Sequence, residues 1–226
     1  MSELKMEFKR VPSGAYGYFI NDEVQWVSGR DYYRYGSAFN HLYLRMFPDN
    51  KYPKSWRNIL VIGGGDFQLI SESNFLVHDN PITVVDPNVT TYFELAKIYK
   101  ERFKTVFNRQ YASYSKKSFL SIIEKPIQEY VSSFNKRRAS SKFDLIVLDL
   151  TDDLAIDEEN SFISKVFYDL LRPNGLIIGY GGTDLSKFMS ESPIPLFDIE
   201  DFHVFKEYFP SWNDYGVFYG ARKCNI

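Results

Sequence analysis

The sequence predicts a single α/β domain on a doubly wound, mostly parallel sheet, with a small antiparallel β unit ahead of it. Three observations carry this. Short apolar strands alternate with helix-like stretches from residue 58 onward, the first such strand runs directly into three glycines, and later strands end in acids. The chain has 226 residues, 44% of them hydrophobic, enough for one sizeable core plus an appendage.

Residues 1–30 form the N-terminal unit: MEFKRV, a turn at Pro12-Ser13-Gly14, YGYFI, a second turn at Asn21-Asp22, and VQWV. Residues 31–226 form the larger domain. Tyr35, Phe39, Leu42 and Met46 recur at helical spacing between Asp31 and Phe47, and Pro48 and Pro53 mark a loop. NILVIGGGD then reads as strand and glycine turn, with a helix over Phe67–Phe75. PITVVD is a second strand ending in an acid, followed by a helix over Val89–Phe103. After a polar connection come strand SFLSII, helix IQEYVSSF and strand FDLIVLDL. Helix SFISKVFYDLL, closed by Pro173-Asn174-Gly175, leads to strand LIIGYG, and GVFYGAR suits an antiparallel edge.

In such sheets ligands bind outside the carboxyl ends of the strands. Gly63, Gly64 and Gly65 follow the first strand there; glycine permits positive φ and close approach of backbone to a ligand. Asp66 ends the glycine turn, Asp86 the second strand, and Asp149, Asp152 and Asp153 the fourth, so acids from separate strands can converge on one cleft. An anionic cleft suits a cation such as a polyamine or sulfonium compound, and a carboxylate among like charges can serve as a general base. Asp66 and Asp86 are equally readable as loop caps. Asp149 closes an apolar strand, where an acid is costly unless used or paired. Asp157, Glu158 and Glu159 read as a solvated loop and helix start.

Other chemistries find little support. A net charge of −2 provides no basic surface for nucleic acid, and the Lys136-Arg137-Arg138 run reads as a solvated loop. The single cysteine, Cys224, excludes an internal disulfide, and His41, His78 and His203 have no metal-ligand spacing. A GxGxxG fingerprint needs glycine where Gln68 stands, and no P-loop occurs. With no apolar leader and no membrane-length stretch, a cytoplasmic protein is expected.

The motifs resemble those of the polyamine aminopropyltransferases, the spermidine synthase family. ILVIGGGD is similar to that family's strand and GGGDGG; FDLIVLDLTDD resembles its DSTDP or DSSDP; VQWVSGRDYYRYGSAFNHL resembles its Gln–Asp–Tyr segment; and YFPSWNDYGVFYGARK is similar to PTYPSGxWGFxxxSK. The resemblance implies a class I methyltransferase-like (Rossmann-like) fold and a co-substrate, decarboxylated S-adenosylmethionine, with no metal. Asp66 would bind the amine of the aminopropyl group. Asp149 would deprotonate the attacking amine, Asp152 would hold the cationic acceptor and Tyr35 would orient it. Gln25, the three glycines and Asp86 would serve the donor. The partners implied are a small polyamine substrate and a second copy of the chain, a simple dimer.

The resemblance also has departures. The family's ribose-binding acid falls at Val84, with Asp86 two residues later, and its adenine-contacting Asp-Gly or Asp-Ala falls at Lys125-Pro126. Phe67-Gln68 replaces the second half of GGGDGG, and Asp153 the proline of DSTDP. Two alternatives follow: an S-adenosylmethionine-dependent methyltransferase, against which stands Val61 where such enzymes usually carry an acid, or a non-catalytic binding protein that has lost its donor.

Overall fold

A computed structural model describes residues 5–46, 58–73, 80–102, 104–115, 119–134, 143–150, 166, 169–185, 199–210 and 214–224. Strands β1 (Met6–Arg10), β2 (Tyr16–Ile20) and β3 (Glu23–Val27) form an antiparallel sheet in that order, and α1 (Arg30–Met46) follows. A second sheet alternates with helices: β4 (Ile59–Gly63), α2 (Gln68–Glu72), β5 (Ile82–Val85), α3 (Val89–Ile98), α4 (Lys104–Tyr114), β6 (Leu120–Ile123), α5 (Ile127–Phe134) and β7 (Phe143–Asp149). Three long strands end it, β8 (Leu171–Tyr180), β9 (Ile199–Phe209) and β10 (Asp214–Lys223). The seven strands lie in the order β6-β5-β4-β7-β8-β10-β9. The first five of these are parallel to one another, and β10 is antiparallel to both β8 and β9.

This order places the crevice. From β4 the chain winds outward through β5 to β6, then returns past β4 to form β7 on its other side. The direction of winding therefore reverses between β4 and β7, and the loops leaving their carboxyl ends diverge and open a gap.

Both faces of the sheet are covered, which is why β4 reads as an uninterrupted apolar run. Val61, Val84, Val147 and Ile178 enter one core with α1, α3, α4 and the β1–β3 unit, while Leu60, Ile62, Val85, Ile146 and Ile177 enter the other with α5. The helical stripe anticipated on α1 is its buried face: Tyr35, Phe39, Leu42 and Met46 are all buried. Phe8, Tyr18 and Trp26 seat the N-terminal unit against Tyr92 and Phe107 of α3 and α4.

Four elements differ from expectation. Helix α4 occupies the stretch for which the sequence predicts a polar connection; its buried face is Val106, Phe107 and Gln110, and the polar third member weakens the periodic signal. Strand β9 was not anticipated. As the edge strand it carries charges, and it offers Phe202 and Val204 to one core and Phe205 and Phe209 to the other, so no simple alternation marks it. In consequence β10 is an interior strand and not the edge. Pro173-Asn174-Gly175 lies within β8, where pairing with β7 jumps from Leu171 to Leu176 and Asn174 takes φ 62°. Of the helix expected before it, Val166, Asp169 and Leu170 are helical and the rest, apart from Leu171 in β8, lies outside the described residues.

The β4–β7 ladder ends with Gly63 opposite Asp149. A Cβ on Gly63, whose φ is +80°, would stand 1.8 Å from the Asp149 carbonyl oxygen. Gly63→Ala is therefore expected to lower stability by about 3 kcal/mol or more in urea unfolding, a cost typical of a strained φ combined with overpacking; a loss under about 1 kcal/mol would contradict this close approach.

Candidate active site

Three carboxylates meet at the crevice. Asp149 ends β7, Asp66 follows the glycine turn after β4, and Asp86 follows β5. The glycines make room for them: a Cβ on Gly64 would lie 2.8 Å from Asp149 Oδ2, and one on Gly65 would lie 2.4 Å from the Asp86 carboxyl carbon. The space cleared by Gly64 and Gly65 is thus filled partly by the protein's own acids, a use of glycine distinct from the close approach to a ligand that the sequence predicts.

Each acid has a local anchor. Asp66 Oδ1 accepts from the Gln68 amide at 2.9 Å; Asp86 accepts from Asn88 N at 2.7 Å and Gly65 N at 3.1 Å. The loop-capping role considered for both is therefore real, and it leaves lone pairs on each carboxylate for a further partner. Asp149 is held differently. The Tyr35 hydroxyl donates to its Oδ1 at 2.5 Å, joining α1 to β7 across 114 residues of chain. Tyr35 is itself packed among Phe39, Tyr180, Phe209 and Phe218, with ring centroids 5.3 to 6.3 Å away.

Electrostatics follow from this crowding. All three acids keep a minority of their surface open, yet enough protein surrounds them for burial to be the leading cause of their shifts. Asp66 is pushed up to about 8, by burial first and then by the Asp149 carboxylate. Asp149 is pushed up to about 6 by burial, with the Tyr35 hydrogen bond working the other way. Asp86 is also raised, again through burial, against its two backbone donors. Near neutral pH, Asp149 is mostly ionised and Asp66 mostly protonated, and a bound cation would draw the remaining proton off Asp66.

Not every anticipated residue joins this group. Gln25 sits on β3, partly exposed, and its amide makes a local contact to the Glu23 carbonyl at 3.4 Å. Asp152 and Asp153 lie outside the described residues, as do Asp157, Glu158, Glu159 and the Lys136-Arg137-Arg138 run. Val84 is fully buried in the core. Lys125 is exposed just after β6, and the Pro126 carbonyl accepts from Glu129 and Tyr130 at the start of α5.

Two supports escaped the sequence reading. Gln68, noted there as a missing glycine, is buried and donates through Nε2 to the Tyr32 carbonyl at 2.8 Å, fixing α1 against α2. Phe67, fully buried against Phe93 and Tyr114, adopts φ 61°, a left-handed conformation rare for a bulky side chain. Glycine would be relaxed there; the aromatic burial holds Phe67 in place. A cleft of about 380 Å³ also lies between the outer face of α1 and β9, lined by Arg34, His41, Arg45 and Phe205 among others, but none of the three acids borders it.

The fold is one shared with solved spermidine synthases and with an N-methyltransferase. Spermidine synthase from Thermotoga maritima superposes over 100% of this chain and 71% of its own, at TM-score 0.69 and 16% identity. A spermidine synthase in complex with the transition-state analogue AdoDATO gives 100% and 71% coverage, TM-score 0.67 and 14% identity. The N-methyltransferase NodS from Bradyrhizobium japonicum, in complex with S-adenosyl-l-homocysteine, covers 84% of this chain and 86% of its own at TM-score 0.54 and 14% identity. No protein-family profile and no curated protein sequence matches the chain. At these identities the likeness establishes the fold, and the reaction has to be argued from the site.

The raised carboxyl groups bear on stability. An Asp66 that titrates near 8 when folded, against 3.8 ordinarily, binds its proton more tightly in the folded state, so the ligand-free fold loses stability as pH rises from about 4 through about 8. Asp66→Asn is expected to raise the thermal midpoint at pH 8 and to flatten its decline between pH 6 and 8. An unchanged slope in the variant would show that Asp66 titrates in its ordinary range.

Proposed function

We propose that this protein transfers an aminopropyl group from decarboxylated S-adenosylmethionine to a diamine such as putrescine, giving spermidine and methylthioadenosine. The observation that carries the reading is the Tyr35–Asp149 hydrogen bond within a three-acid crevice at the switch point of the sheet. The acids come from three different strand ends, an arrangement suited to a ligand carrying several positive charges. Likeness of fold to spermidine synthases, one of them holding a transition-state analogue, supports the same reading.

The chemistry asked of these side chains is modest. The acceptor's lone pair attacks the aminopropyl carbon next to the sulfonium; the C–S bond breaks with its electrons passing to sulfur, and the leaving group is a neutral thioether. The proton lost by the acceptor nitrogen passes to Asp149. With a pKa of about 6, Asp149 is ionised at neutral pH and able to receive it. Asp66 meets the primary ammonium of the aminopropyl chain, and its negative charge disfavours a donor that still carries a carboxylate there. Tyr35, bound to Asp149, holds the base in one orientation and lines the path of the acceptor. Asp152 would add a second carboxylate for the far ammonium of the diamine, and Gln25 would meet the nucleoside when the donor is bound. The remaining catalysis is alignment of nitrogen, carbon and sulfur.

The test is incubation with decarboxylated S-adenosylmethionine and a panel of diamines, with methylthioadenosine release followed by mass spectrometry. Release should require both an amine and Asp149, and Asp149→Asn should lower the rate by about 10²- to 10⁴-fold. Absence of release with every amine would overturn the proposal, and methyl transfer from intact S-adenosylmethionine in its place would establish the methyltransferase alternative. The rate should climb with pH through about 6 as Asp149 ionises. Because the Tyr35 hydroxyl stabilises the ionised form, Tyr35→Phe should move that rise to higher pH, whereas a purely steric role would leave its midpoint in place.

A further inference from the structure

Resting on the aminopropyl-transfer reading, we infer that Gln68 is a positioning residue for that reaction: its side chain sets where helix α1 delivers Tyr35 to Asp149, while its backbone amide holds Asp66. One residue thereby ties the carboxylate for the donor's ammonium to the base that serves the acceptor.

The need for such a tie follows from how α1 is packed. Tyr35, Phe39, Leu42 and Met46 press its apolar stripe onto the sheet. Apolar burial is non-directional, so it holds the helix down without fixing how far it slides or turns. The Tyr35 hydroxyl, by contrast, meets Asp149 Oδ1 at 2.5 Å, and a hydrogen bond weakens steeply once its geometry departs from the optimum. A directional contact has to set the register of α1.

A second stripe supplies it. Tyr32, Gly36 and Asn40 recur at intervals of four along one face of α1, and all three meet α2. Gln68 Nε2 donates to the Tyr32 carbonyl at 2.8 Å, the Tyr32 hydroxyl lies 3.3 Å from Ser71 Oγ, and Asn40 Nδ2 donates to the Glu72 carbonyl at 3.1 Å. At Gly36 the two helices touch, since a Cβ there would stand 2.5 Å from Glu72 Cβ.

The Gln68 contact stands apart by its place. Gln68 and Tyr32 are both buried, so the bond is shielded from water, and a helical carbonyl keeps a second lone pair for such a donor. Tyr32 precedes Tyr35 by three residues, less than one turn. At the crevice, the Gln68 amide donates to Asp66 Oδ1 at 2.9 Å. The contacts therefore run from Asp66 through Gln68, Tyr32 and Tyr35 to Asp149, and the β4–β7 ladder closes the circuit by setting Gly63 opposite Asp149. A glycine at position 68 would have no side chain with which to make this link.

The experiment follows the carboxyl carbon of Asp149 by NMR across pH in protein labelled with carbon-13 aspartate, the signal being assigned by its loss in Asp149→Asn. It compares the unaltered protein with Gln68→Met, Tyr35→Phe and the double variant. Methionine is similar in length to glutamine but lacks the donor, so the Tyr35–Asp149 bond that favours ionised Asp149 should weaken. Gln68→Met should move the Asp149 midpoint upward by about half to one pH unit, and adding it to Tyr35→Phe should bring no further shift, because Gln68 acts through Tyr35. In the transfer assay kcat should fall about tenfold with the KM for decarboxylated S-adenosylmethionine little changed, since the backbone amide still holds Asp66. An unmoved Asp149 midpoint in Gln68→Met would overturn the inference, as would equal shifts with and without the Tyr35 hydroxyl. Should Gln68→Met not fold, Gln68→Asn, whose amide falls one methylene short of the carbonyl, is read against the same two outcomes. If the unaltered protein releases no methylthioadenosine with any amine, the transfer reading fails, while the NMR midpoints still decide whether Gln68 positions Tyr35.

Discussion

The hydrogen bond from Tyr35 to Asp149 is the constraint on which the site depends. It joins the helix that follows the N-terminal unit to the strand that carries the candidate base, and it can form only if three separate packing problems are solved. Helix α1 must lie flat on β8, β9 and β10, which its stripe of Phe39, Leu42 and Met46 achieves. The tyrosine ring must be held, which Tyr180, Phe209 and Phe218 do. Finally β4 must end beside β7 in a register that puts Gly63 opposite Asp149, so that the glycine turn leaves room for the carboxylate.

Gathering three carboxylates beside that bond opposes folding, and the opposition has a use. Burial raises all three acids and neighbouring carboxylates add to it, so near neutral pH the crevice holds a proton that the binding of a cation would release. Backbone amides at Gly65, Gln68 and Asn88 make the arrangement tolerable without neutralising it. Phe67 adds a second local strain, a left-handed backbone held by aromatic burial. Strain and raised carboxyl groups clustered at one switch point are the usual mark of a site shaped for a ligand.

Much of the scaffold was legible because its signals are local. The three N-terminal strands, the α1 stripe, and the strands from β4 to β7 each follow from spacing within a short window, and the strand–glycine–helix transition at Gly63 locates the crevice. Helix α4 and strand β9 were illegible for the complementary reason: Gln110 interrupts one buried face, and β9 at the sheet edge divides its apolar residues between two cores. Asp66, Asp86 and Asp149 are legible as strand-end acids, while the role of Gln68 is not, since it depends on Tyr32, distant along the chain.

By itself, then, the sequence determined the alternation of strands and helices, the glycine turn and the acids at the strand ends, because periodicity, turn chemistry and the penalty on an acid closing an apolar strand all act over a few residues. Only the tertiary structure decided that α1 delivers Tyr35 to Asp149, that the glycines yield space to carboxylates, and that the N-terminal unit packs on α3 and α4. Those outcomes arise from packing and charge between segments far apart in the chain, and no local pattern encodes the distance at which two such groups finally stand.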